Sequence, residues 1–158
     1  MNFKEKIKTK LELLEILDKL RDSKKIVFTN GCFDVLHRGH VEYLAFARSL
    51  GDLLVVAVNS DNSVRRLKGS GRPINKLEDR MVVLSALEMV DYVVSFEEDT
   101  PYEIIKILRP HIIVKGGDYS VEEVVGKEIV ESYGGKVVIA PYIEGFSTTH
   151  ILRRLKDK

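Results

Sequence analysis

The chain has 158 residues, 44% apolar and 31% charged, with a formal net charge of +1 at pH 7. That balance excludes a disordered tract and any general attraction to nucleic acid or an anionic membrane, and no run approaches the ~18 apolar residues of a membrane span. A single cysteine, Cys32, excludes an intrachain disulfide.

Apolar residues at Phe3, Ile7, Leu11, Leu14 and Leu17 recur at helical spacing, so residues 1–22 read as an N-terminal amphipathic helix ahead of one domain over 23–158. This opening segment is charged throughout and carries nothing like a signal sequence, so a cytoplasmic protein is expected. Lys25 to Thr29 is a short buried strand. Gly39 to Leu50 is a helix stopped by Gly51, and Asp52 to Val58 is a second apolar strand. The segment RRLKGSGRPIN reads as a loop rich in glycine and charge. Leu77 to Val90 is a helix and Tyr92 to Ser95 a strand. Pro101 opens a helix that Pro110 closes, and Ile112 to Lys115 is a strand. Val121 to Tyr133 is a helix capped by Gly134-Gly135, Lys136 to Ala140 a strand, and Ser147 to Lys156 the last helix.

Strands that alternate with helices, each a continuous apolar run, predict an α/β fold: a Rossmann-like, doubly wound, five-stranded parallel sheet covered on both faces. Ligands of such sheets bind beyond the carboxyl ends of the strands, where strand order reverses. The unusual residues follow strands: NGCFDVLHRGH the first, NSD the second, KGGDY the fourth and PYIEGFSTT the fifth.

The most informative stretch is FDVLHRGH, Phe33 to His40. It places two of the chain's four histidines three residues apart at a helix start, with Gly39 before the second. A helix N-terminus presents unpaired N–H groups and partial positive charge, which suits an anion, and two imidazoles add donors for phosphate oxygens. Asn30, Gly31, Cys32 and Phe33 form the turn that backbone contacts to a nucleotide would use. Two surface histidines, or a zinc pair with Cys32 nearby, remain open on spacing alone. Neither a G-x-G-x-x-G nor a P-loop pattern occurs.

NGCFDVLHRGH resembles the [TN]-G-x-F-D-x-x-H-x-G-H signature of the HxGH nucleotidyltransferase superfamily of cytidylyl- and adenylyltransferases. FSTTHILRRL resembles its second signature. From about Lys24 to Leu155, the segments AVNSDNSVRRLKGSGRPIN, DYVVSFEEDTP and VKGGDY are similar to the heptose 1-phosphate adenylyltransferases of bacterial ADP-heptose synthesis. Many of those are fused to a sugar kinase domain that this sequence lacks, so the resemblance implies the stand-alone form.

The resemblance implies nucleotidyl transfer from ATP with Mg²⁺, D-glycero-β-D-manno-heptose 1-phosphate as acceptor, and a part in making the lipopolysaccharide core. His37, His40 and Lys68 would be catalytic. Asn30, Gly31, Cys32, Phe33, Gly39, Lys115, Gly116 and Gly117 would bind the nucleotide with the histidines, and Ser147, Thr148 and Thr149 would hold its phosphates. Asp34, Arg72, Arg80 and Asp118 would contact the acceptor or nucleotide, and no metal ligated directly by the protein is expected. Arg80 otherwise reads as a surface ion pair, and Ser147 to Thr149 as a helix cap. Partners would be small molecules, with no nucleic acid and no membrane; a homodimer is in keeping with small superfamily members. A cytidylyltransferase acting on glycerol 3-phosphate or a similar phosphate monoester, and a non-catalytic nucleotide-binding module, stay open.

Overall fold

The strands are β1 (Ile26–Gly31), β2 (Leu53–Asn59), β3 (Tyr92–Phe96), β4 (Ile112–Lys115) and β5 (Lys136–Ile139). A computed structural model, which describes residues 2–117, 119–141 and 147–157, arranges them in one parallel sheet of order β3–β2–β1–β4–β5. The chain steps outward from β1 to β3, then returns to lay β4 against the other side of β1, with Val27 opposite Ile112. Strand order therefore reverses between β1 and β4, which opens a crevice at their carboxyl ends.

The helices are α1 (Lys10–Leu20), α2 (Arg38–Ser49), α3 (Asp61–Lys68), α4 (Leu77–Ser85), α5 (Tyr102–Leu108), α6 (Lys127–Ser132) and α7 (Thr148–Lys156). Side chains alternate along each strand, so the sheet feeds two cores. Phe28, Ala57 and Ile113 pack with Leu13 and Leu17 of α1 and with α5 and α6. Val27, Val56 and Val114 pack with Leu44 of α2 and Leu84 of α4 on the other face. Burial on both faces is why the strands read as unbroken apolar runs.

Four elements differ from the sequence reading, one of them the helix expected over 77–90, which as α4 ends at Ser85. Residues 1–22 are not one helix: a 3₁₀ turn (Phe3–Lys6) precedes a parallel bridge from Ile7 to Val93 on edge strand β3, and a Thr9–Glu12 capping box starts α1. Leu11 of the expected stripe is 75% exposed, while Leu17 faces the core as expected together with Leu13, which the stripe left out. The helix expected over 121–133 splits at Gly126 (φ +92°) into a 3₁₀ turn and α6; a Cβ there would meet Ile105 Cδ1 at 2.8 Å. The loop expected over 65–75 begins inside a helix: Arg65 to Lys68 are the end of α3, which Ser60 caps. Its polar sequence buries only Ser63 and Val64, too short a stripe for periodicity to show.

Candidate active site

The turn from β1 into α2 is held in a conformation that bulky residues rarely adopt. Phe33 has φ +48°, a left-handed backbone that costs on the order of 1–3 kcal/mol. Its ring is buried in the α2–α4 core, which holds the turn against that cost. Gly31 faces the same ring, and a Cβ there would stand 3.0 Å from Phe33 Cε2.

His37 is the N-cap of α2 and His40 lies in its first turn. The two rings stack, with centroids 3.8 Å apart. The His37 backbone N–H donates to His40 Nδ1 at 3.3 Å. In neutral His40 this puts the ring proton on Nε2, making that nitrogen a donor. Burial, with the His37 ring adding to it, pushes the His40 pKa down to about 4, and burial lowers that of His37. Before a ligand arrives, both imidazoles are neutral donors near pH 7.

Both histidines line a cavity of about 720 Å³ at the strand reversal, within the size range of ligand pockets. Asn30, Gly31, Cys32, Phe33, Asp34 and Gly39 contribute from the β1–α2 side. Lys115, Gly116 and Gly117 contribute from the end of β4. Lys68, at the end of α3, and Arg72 close one flank, with Ser147, Thr148 and Thr149 at the start of α7. Burial lowers the Lys115 pKa, an effect that the Lys68 charge reinforces. Two ammonium groups that repel each other inside one cavity create a demand for an anion. Burial raises the Cys32 thiol pKa, which keeps it protonated at neutral pH.

One charged residue takes a position other than that expected, and a second lies where expected with its oxygens already committed. Arg80 does not line the cavity and is not at the surface; its side chain is fully buried. Its guanidinium donates to Asn75 O (2.9 Å), Cys32 O (2.7 Å), Asn59 O (2.9 Å) and Asp61 Oδ1 (2.8 Å). With its donors spent on three loops, Arg80 holds the floor of the cavity. Asp34 lines the cavity, but its carboxylate accepts from Arg72 Nε at 2.7 Å, Ile74 N at 2.7 Å and Asn75 N at 2.8 Å. Burial alone would raise its pKa, but these bonds outweigh that and leave it lowered. Asp34 thus anchors the 72–75 loop and orients Arg72. Asp118 lies outside the described residues.

The hydroxyl run divides its work. Ser147 caps α7 by accepting from His150 N (3.0 Å), and Thr148 donates to Val35 O (3.1 Å). Tyr43 is among the cavity residues that escaped the sequence reading, and Asn59 was noted there only as part of NSD after the second strand. Tyr43 follows His40 by three, on the same face of α2. Its hydroxyl hydrogen-bonds Thr29 Oγ1 and donates to Val114 O at 2.9 Å, linking β1 to β4 at the strand reversal. Its ring lies where a Cβ on residue 116 would stand 3.1 Å away, so a side chain there would crowd it. Asn59 ends an apolar strand with a polar side chain and donates to Ser63 Oγ at 3.0 Å; such a break at a strand's carboxyl end was the available signal.

The cytidylyltransferase-like family model matches residues 28–154. The bifunctional protein HldE of Syntrophotalea carbinolica is 53% identical over 159 residues, which covers 100% of this chain and 32% of that protein. HldE of Alcanivorax borkumensis is 56% identical over 146 residues, 92% of this chain and 31% of its own length. The chain thus spans 31% and 32% of the length of these two relatives. Among solved structures, the lipopolysaccharide core biosynthesis protein from Thermoplasma volcanium superposes with a TM-score of 0.64 at 30% identity, covering 77% of this chain and 100% of that one. A pantoate-beta-alanine ligase from Francisella tularensis has a TM-score of 0.64 at 15% identity over 94% of this chain and 72% of its own, a likeness of fold alone.

Proposed function

The chain belongs to the cytidylyltransferase-like family of nucleotidyltransferases, and within it we propose that it transfers AMP from ATP to D-glycero-β-D-manno-heptose 1-phosphate, giving ADP-heptose and pyrophosphate. The observation that carries this reading is the stacked His37–His40 pair at the N-terminus of α2, facing a cavity that Lys68 and Lys115 also enter. The choice of acceptor rests on the segments that resemble the heptose 1-phosphate adenylyltransferases of bacterial ADP-heptose synthesis, and on the similarity to the bifunctional HldE proteins.

An oxygen of the acceptor phosphate attacks the α-phosphorus of ATP, the bond to the β-phosphate breaks, and its electron pair leaves with pyrophosphate. A phosphate monoester is already a competent nucleophile at neutral pH, so the site needs positioning and charge stabilisation rather than a base. His37 and His40 donate to the oxygens of the phosphorus under attack. As negative charge approaches, their pKa values rise, and each imidazole can take up a proton from water while negative charge develops on the leaving oxygen. Lys68, Arg72 and the start of α7 receive the β and γ phosphates, and Lys115 and the 116–117 backbone flank the nucleotide. Among the described residues no group of three or more His, Cys, Asp or Glu stands together as a metal site, and Asp34 is taken up by its loop. The divalent cation would enter with ATP as part of the substrate, and no step is assigned to a protein-held metal.

The test is pyrophosphate release with ATP, CTP, GTP or UTP, each paired with heptose 1-phosphate, glycerol 3-phosphate or ethanolamine phosphate. Release confined to ATP with the heptose phosphate is expected. Release with another pair overturns the substrate and keeps the histidine chemistry; ATP binding without release from any pair overturns the transferase reading.

A further inference from the structure

A second cavity of about 580 Å³ lies between the 69–74 loop and α7. Lys68, Arg72 and Thr149 line both cavities, so they form the wall the two share. Beyond that wall, Arg153 and Lys156 extend the cationic lining, with Ile74, Leu152 and Leu155 between. Thr149, Leu152, Arg153 and Lys156 fall at i, i+3, i+4 and i+7, one face of α7. Among the described residues no carboxylate lines this groove. Arg72 is paired with Asp34, and among the described residues Lys68, Arg153 and Lys156 have no carboxylate partner, which suits a small, highly charged anion.

We infer that this groove receives the pyrophosphate leaving group: Lys68, Arg72 and Thr149 hold it while it is part of the triphosphate, and Arg153 and Lys156 take it over once the α–β bond has broken. The inference rests on the transferase reading above. In-line displacement puts the acceptor on the face of the α-phosphorus opposite the leaving oxygen. The residues assigned to the β and γ phosphates open onto the groove, which places it on the leaving side. Its lining of cations and aliphatic side chains also lacks the carboxylate or amide groups that would match the hydroxyls of a sugar. The step is balanced: one P–O bond forms, one breaks, and the four charges of ATP and two of the acceptor reappear as two on the nucleotide sugar and four on pyrophosphate.

The experiment is a calorimetric titration of the full chain with magnesium pyrophosphate and, separately, with MgATP in the absence of acceptor, comparing wild type with the Arg153→Gln/Lys156→Gln double variant. Both side chains are exposed, so the fold should survive, and Arg153→Lys in an otherwise wild-type chain controls for charge. Pyrophosphate affinity is expected to fall at least ~10-fold in the double variant, the scale of lost charge-assisted contacts. ATP affinity should change less than ~2-fold, because in ATP these phosphates stop at the shared wall, and Arg153→Lys should keep most of the pyrophosphate affinity. Unchanged pyrophosphate binding, or an equal loss for ATP, overturns the inference. Because these titrations use no acceptor, a different active pair in the release panel would overturn the heptose assignment without touching them.

Discussion

On the β1 side of the cavity, the 30–34 turn is fixed from every direction: Arg80 on Cys32 O, Asn75 on Asp34 O, three donors on the Asp34 carboxylate and the Phe33 ring in the core. On the opposite side, α7 has no buried residue, and among the described residues one side-chain hydrogen bond, Thr148 to Val35 O, ties it to the rest of the fold. The contrast follows from the chemistry. Groups that meet the α-phosphorus need sub-ångström placement, which only an over-determined turn supplies. On the proposed reading, the wall beside the departing pyrophosphate must let product out, and few bonds suit that.

The largest expected effect strikes the fixed side. Arg80→Met leaves three backbone carbonyls and the Asp61 carboxylate without their donor, and should cost about 3–5 kcal/mol, as when one partner of a buried charged cluster is removed. Urea unfolding at pH 7 reads this directly. A loss below ~1 kcal/mol would mean that water replaces the guanidinium and that Arg80 does not hold the turn.

His37→Ala tests the chemistry the turn supports. Turnover should fall more than ~100-fold, the scale of removing one charge-stabilising donor. Normal turnover would remove His37 from the mechanism. The same pair marks the stability profile. The His40 pKa is lowered to about 4 in the folded state against an ordinary value of 6.5, so between those values the unfolded chain binds more protons and stability falls as pH drops. The lowered Asp34 pKa adds stability above the ordinary carboxylate range and loses it as pH falls through the folded value, a lower window. His40→Gln should flatten the first decline and leave the second, as measured by melting temperature against pH.

Asp34→Asn separates positioning from binding. An amide keeps one acceptor and turns a donor toward Arg72, Ile74 N and Asn75 N, so stability should fall by about 2 kcal/mol. With Arg72 no longer held, KM for ATP should rise more than kcat falls. A pure kcat effect would instead put Asp34 in contact with the reacting groups.

How much of this was legible in the sequence follows from the same contrast. FDVLHRGH concentrates its chemistry in one contiguous turn, so motif and helix start could be read together, and the parallel sheet announced itself in unbroken apolar strands. Arg80 could not be placed, because its acceptors sit on residues 32, 59, 61 and 75 and only the folded chain brings them together. Asp34 was expected at the cavity, but not that its oxygens were committed to residues 72–75. Helix α3 was hidden by its polarity. Tyr43 was readable in principle from its place three residues after His40, yet its partners Thr29 and Val114 lie on two strands.

The smallest effect bears hardest on the comparison. Ser147→Ala removes the cap of α7 and should cost about 1 kcal/mol. If α7 is a thinly attached wall, that cost is local: its amides should exchange about 5-fold faster while the global unfolding midpoint barely moves, because the helix already opens on its own in both proteins. If the full ~1 kcal/mol instead appears in global unfolding, α7 opens only when the whole domain does. The wall would then be as cooperative as the floor, and pyrophosphate would have to leave through a rigid groove, not past a yielding helix. ATP affinity distinguishes the cap from a phosphate contact in the same variant. A local change in exchange with unchanged ATP binding assigns the Ser147 hydroxyl to the helix. A matching loss of ATP affinity assigns it to the nucleotide as well.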